Sequence, residues 1–191
     1  MKKITFLLAA FAFFIGCTKD SDELASTQLG NDVSLVPRTT KTFKATLQSS
    51  LNLTPPVVLT VCSGDIPEFA IPDHYLAGQA LHLGKMDGVL SGLHHDNCNI
   101  SFMDAALTTQ VSGQLVSASG DKITYSGDDV IDITVLLSPP SENHTGSITG
   151  HWTITGGTGK FAGATGSFDV VGVVDFATNT FSAEANGTIE Y

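Results

Sequence analysis

From about residue 40 to the end, polar and apolar side chains alternate with a period of two. Phe43, Ala45 and Leu47 alternate with Lys44 and Thr46. Leu107, Thr109, Val111, Gly113 and Leu115 form one such set, and Ile131, Ile133, Val135 and Leu137 another. Ile148, Gly150, Trp152 and Ile154 follow, then Phe168, Val170, Gly172, Val174 and Phe176, then Phe181, Ala183, Ala185, Gly187 and Ile189. Alternation of this kind predicts half-buried antiparallel strands. The breaks Ser119-Gly120-Asp121, Ser138-Pro139-Pro140 and Ala177-Thr178-Asn179 are short and polar, so neighbouring strands run up and down. Two further strands are expected within Leu76–Gly92, on either side of Gly84-Lys85. Beyond the first residues no stretch of ten has helical periodicity. The expectation is an all-β, antiparallel, roughly eight-stranded up-and-down β-barrel, in which closure removes exposed edges.

Residues 49–75 fit least well. Pro55, Pro56, Pro67 and Pro72 fall there, and proline is disfavoured in central strands. Val57–Cys62 reads as a short strand or extended segment and 63–75 as a loop.

The first residues have a different pattern. Lys2 and Lys3 precede an apolar run, Ile4 to Ile15, too short to span a bilayer but of the length of a secretory signal. It ends Phe14-Ile15-Gly16-Cys17, which resembles the lipobox of bacterial lipoproteins. That resemblance implies a signal peptide over 1–16 and acylation of Cys17 as the first mature residue. The following Lys19-Asp20-Ser21-Asp22-Glu23 is similar to the acidic export signal of surface lipoproteins of the Bacteroidetes. Residues 17–40 read as a flexible acidic tether and 41–191 as the barrel domain. The implied location is the outer membrane or cell surface, with the membrane as a partner through the lipid anchor.

Charge bears on the partners. Of 191 residues, 9 are Lys or Arg and 19 Asp or Glu, a net charge of −10, and loss of Lys2 and Lys3 with the leader takes it to −12. An acidic chain lacks the basic patch of nucleic-acid binders, so no nucleic-acid partner is expected.

With Cys17 assigned to lipid, Cys62 and Cys98 remain. An oxidising compartment permits a bridge between them, and two buried free thiols are the alternative. His94, His95, Asp96 and Cys98 lie close in sequence, but adjacent residues rarely point at one ion and no metal-ligand spacing appears, so the run reads as a polar loop tip and no metal is expected. Asp128, Asp129 and Asp132 lack an EF-hand's spacing and read as a solvated strand end. His82 reads as a strand histidine or a lining residue of a barrel mouth, and His151 as outward-facing.

The densest glycine run is Gly156 to Gly166. Gly157-Thr158-Gly159-Lys160-Phe161-Ala162 matches the dinucleotide pattern formally, but that motif requires a helix to follow, and here Gly163, Thr165 and Gly166 lead into another strand. Gly156, Gly157, Gly159 and Phe161 are therefore expected to build a structural turn, with Phe161 packed inward and Lys160 solvated, and no cofactor is expected. Thr155-Gly156-Gly157-Thr158-Gly159-Lys160-Phe161 also resembles the glycine-rich turn of dirigent proteins and allene oxide cyclases. His82-Leu83-Gly84 and Gly187-Thr188-Ile189 extend the similarity to bacterial secreted proteins and lipoproteins of that superfamily, over roughly residues 76–191. The resemblance implies a calycin-like barrel; it carries no catalytic residue onto this chain. Two functions follow as expectations: a non-catalytic barrel that binds a small apolar ligand or a protein partner, or an isomerase or cyclase acting on a lipid-like substrate inside it.

Overall fold

The computed structural model describes residues 38–137 and 144–191. The leader 1–16, Cys17, nearly all of the tether 17–40 and the Ser138-Pro139-Pro140 break lie outside the described residues.

The long strands are β1 (Thr40–Leu51), β5 (His74–Ala80), β7 (Gly92–Ser101), β8 (Ala106–Val116), β9 (Lys122–Asp132), β10 (Thr145–Thr158), β11 (Thr165–Asp175) and β12 (Thr180–Glu190). Short pieces are β2 (Leu59–Val61), β3 (Ser63–Gly64), β4 (Ala70–Pro72) and β6 (Gly84–Lys85), with one helical turn, α1 (Thr134–Leu137). From β7 to β12 each strand pairs antiparallel with the next; β12 then pairs with β1 and β1 with β5. Pairing of His74 with Leu93 and Tyr75 with Gly92 returns β5 to β7, so the strands form a ring. The sheet has ten strands rather than roughly eight, because β3 runs parallel to β7 and β6 pairs with β5. The seam between β5 and β7 has two residue pairs, whereas β8 and β9 are registered from Ala106↔Asp132 to Val116↔Lys122.

Several expectations are corrected. The second strand expected within Leu76–Gly92 is only the two-residue β6, and Val89 and Leu90 lie in an exposed turn. The expected strand over 131–137 lies earlier, as β9, and Thr134–Leu137 is helical. The expected loop 63–75 contains β3, β4 and the start of β5. The expected polar tip at His94–Cys98 is strand β7, with a bulge between His95 and Asn97 that lets a polar run alternate in and out.

Alternation elsewhere puts one apolar face inside. Trp152, Tyr125, Phe168 and Phe43 fill the middle, with Tyr125 stacked on Trp152 at 4.5 Å and Phe43 on Phe168 at 4.6 Å. Glycines make room for them. Trp152 is registered opposite Gly127, where a Cβ would come within 2.8 Å of Trp152 Cδ1; Gly187 opposes both Phe168 and Phe43. Truncating a filled aromatic to alanine costs about 3–5 kcal/mol, so this column is a main source of stability.

The two ends of the ring are finished differently. At one, the glycine-rich run makes a bulge after Ile154 and a 3₁₀ turn, Gly159–Phe161, before β11. Gly159 has φ +63, and a Cβ there would lie 2.0 Å from Asp121 Oδ1. Phe161 is fully buried, edge-on to Tyr191 at 4.8 Å, while Lys160 remains exposed. At the other end, residues 52–73 leave β1 and fold back as the β2–β4 hairpin. A disulfide between Cys62 and Cys98, with Cα atoms 4.6 Å apart, fastens this cover to β7. Thr60 Oγ1 donates to the His95 carbonyl and Ser63 Oγ to the Cys98 carbonyl at 3.2 Å, along the same strand.

Candidate functional site

Beneath the cover the interior is not filled. A cavity of about 70 Å³ is walled by Phe69, Ile71, Ile131, Ile148, Val174 and Phe181, with His74, His95, Asp129, Asn179 and Thr180 as the polar residues of its lining. Phe69 and Ile71 come from the cover, Asn179 from the β11–β12 turn and the others from ring strands. Apolar walls with a few convergent polar groups are the usual chemistry of a small-molecule site.

Asp129 occupies an inward position of β9, in step with Ile123, Tyr125 and Ile131. Its partner in register is Gly150, where a Cβ would fall 1.8 Å from Asp129 Oδ1. Glycine there makes room for the carboxyl. Trp152 donates its indole N–H to Asp129 Oδ1 at 2.8 Å. Burial disfavours the carboxylate and pushes the group up to about 7; the indole bond opposes that shift and Asp128 adds to it. The solvated strand end expected at Asp128, Asp129 and Asp132 is thus corrected at its middle member: Asp128 is exposed, Asp129 is not.

His74 and His95 belong to one hydrogen-bonded chain. Thr109 donates its hydroxyl to the Asn97 carbonyl at 2.8 Å. His95 Nδ1 lies 3.1 Å from Thr109 Oγ1, His95 Nε2 lies 3.4 Å from His74 Nδ1, and His74 Nε2 lies 3.0 Å from the Asn179 carbonyl. Burial depresses both histidines. His95 is lowered to about 3 by burial first and then by His74 and His94; His74 is lowered by burial, against the raising effect of the Asn179 carbonyl and Asp73. Both are therefore uncharged near neutral pH. Tyr125, deeper still, has its phenol pushed well above its usual range by burial and donates to the Gly92 carbonyl at 3.0 Å.

Beside the cavity, Asp73 accepts from His94 Nδ1 at 2.7 Å and from the His95 backbone N–H at 3.3 Å. His94 is half-exposed, so the His94–Asp73 pair lies at the surface of the seam. His82 is in a turn after β5, with φ +72, near the Tyr191 ring; it is neither on a strand nor in the cavity. His151 faces outward and lies 2.6 Å from Asp169. Gly156, Gly157, Gly159 and Phe161 are at the end of the ring remote from His74, and a strand follows them rather than the helix a dinucleotide site needs. Among the described residues no group of three His, Cys, Asp or Glu side chains is placed to hold a metal ion.

Sequence reasoning missed His74, His95 and Asp129 as residues of one cavity. The available signal was the inward register itself: Asp129 stands where an apolar residue is due between Tyr125 and Ile131, and a polar residue on a buried face marks a hydrogen-bonded or functional position. In comparison with known proteins, no family model, no curated protein and no solved structure matches the chain.

Proposed function

We propose that this chain is a lipid-anchored protein of the outer membrane or cell surface whose ring is a calycin-like up-and-down β-barrel, and that it binds a small, mainly apolar ligand without converting it. The observation that carries this reading is the cavity: an interior packed with aromatics elsewhere is left open at one end, under a fastened cover, with a few polar groups in a mainly apolar wall. The lipid anchor rests on the Gly16-Cys17 lipobox and the tether after it. Binding is tested by following thermal unfolding against a panel of small apolar compounds. A saturable rise in midpoint is expected, and it should vanish in Val174→Phe, which fills the cavity from β11. A flat response across the panel in the wild type refutes the reading.

A second reading, an isomerase or cyclase acting on a lipid-like substrate, draws on Asp129. A carboxyl raised to about 7 beside a buried histidine pair is in the range of a general acid or base. The volume of about 70 Å³ speaks against it, since a lipid-like substrate would require the cover to move. Recovering the compound after incubation decides between the two: unchanged ligand supports binding, and an isomerised product supports catalysis.

A further inference from the structure

The chain through Thr109, His95 and His74 is one proton short. It ends on carbonyl oxygens, Asn97 at one side and Asn179 at the other, and a carbonyl only accepts. Four contacts link the two ends: Asn97 to Thr109, Thr109 to His95, His95 to His74, and His74 to Asn179. Each needs one proton. Thr109 supplies one and each neutral imidazole one, so every neutral arrangement leaves a contact with two lone pairs facing each other. The longest contact, 3.4 Å, is the one between the histidines. One added proton would complete the chain.

That proton brings a charge into a buried place, and a buried charge is costly without a counter-charge. The groups facing the pair do not supply one freely. On β9, Asp129 is buried and bonded to Trp152; beside β5, Asp73 is committed to His94 and the His95 backbone; on β7, His94 is itself a base. β8 contributes Thr109, and the β11–β12 turn and β12 contribute the Asn179 carbonyl and the Phe181 ring, none of them ionisable. An anion entering the cavity would add negative charge without drawing on either bonded carboxyl.

Resting on the reading of the cavity as a ligand site, we infer that its ligand is a small carboxylate with a short apolar body, taken up together with one proton that lodges in the Thr109–His95–His74 chain. The apolar body packs on Ile131, Ile148 and Val174, and the carboxylate supplies the counter-charge that the chain lacks.

The probes are butyrate and its uncharged isostere butyramide, titrated calorimetrically into the protein in two buffers of different ionisation enthalpy. Butyrate is expected to bind with uptake of close to one proton, its affinity falling roughly tenfold for each pH unit above neutrality. Butyramide should bind with no proton uptake and no pH dependence. Thr109→Val is the decisive variant, because it is close in shape and removes one terminus. Two protons then serve the two remaining contacts, His95 to His74 and His74 to Asn179. In that variant butyrate should lose both its proton uptake and its advantage over butyramide. His74→Gln should do the same and guards against misfolding of the first. Equal binding of the two probes without proton uptake overturns the inference and leaves the cavity reading standing. Proton uptake that persists in Thr109→Val also overturns it, by placing the proton elsewhere. Failure of both probes and of the apolar panel overturns the cavity reading and this inference with it.

Discussion

Trp152 donates its indole N–H to Asp129 across one strand boundary, and neither side chain meets water: Asp129 is 1% exposed and Trp152 0%. The bond works with either protonation state of the acid, because the accepting oxygen is present in both. The state itself is set by burial, which makes folding and proton binding interdependent at this position.

Asp129 should therefore make the protein less stable as pH rises. Its pKa is about 7 when folded and 3.8 in the reference state, so the folded form holds more protons between those values. The contribution is complete below about pH 4 and is lost as pH climbs through 7, up to about 4 kcal/mol in all. His95 acts in the opposite sense. Its folded value of about 3 lies below 6.5, so its contribution is present above pH 6.5 and is lost as pH falls. The two slopes offset one another in the wild type. Asp129→Asn keeps an acceptor for Trp152 and removes one slope, so urea unfolding of this variant should weaken steadily from pH 6.5 towards 4. An unchanged pH profile would refute the assignment.

Asp129→Leu should behave differently from Asp129→Asn at every pH. It leaves the Trp152 N–H buried without a partner, at a cost of about 1–3 kcal/mol. Chemical denaturation at pH 5 measures the gap between the two variants.

Loss of the disulfide should loosen the cover first. Cys62 and Cys98 are 36 residues apart, and closing such a loop is worth roughly 3–4 kcal/mol by chain entropy. In Cys62→Ser with Cys98→Ser, amide exchange over 59–72 should accelerate more than exchange in β10, β11 and β12. Equal acceleration throughout would mean that the bridge stabilises the ring and not the cover.

Glycine positions divide by cause. Gly127→Ala should cost about 1–3 kcal/mol through crowding of Trp152, while Gly159→Val combines a positive φ with a collision against Asp121. ATP and NAD should leave the thermal midpoint unchanged in the wild type and in both variants. A saturable rise that Gly159→Val removes would restore the phosphate-binding reading of that run.

Strands with sustained alternation, β8, β10, β11 and β12, were legible in the sequence because most inward positions are apolar or glycine, Thr109 of β8 being a polar exception. β9 was legible only in its last residues, since Gly127 and Asp129 occupy inward positions and hide the period. β7 was hidden by its bulge, which shifts the phase between His95 and Cys98. The cavity lay beyond reach for a different reason. His74, His95 and Asp129 are on three strands, and only the returning pairing of β5 with β7 brings the two histidines together.

The seam between β5 and β7 has a consequence for how the molecule opens. With two residue pairs of ladder and the Leu76 N–H bonded to the Ser91 carbonyl beside them, it leans on side chains: Asp73 to His94, and the cover bonded along β7. Elsewhere the circle is zipped by backbone, whose bonds do not respond to acidity. Breathing motions should therefore begin at this one join, and the histidine cavity lies immediately behind it. A guest would enter sideways through a slit edged by His74 and His95, so the doorway and the binding site would share the same two side chains.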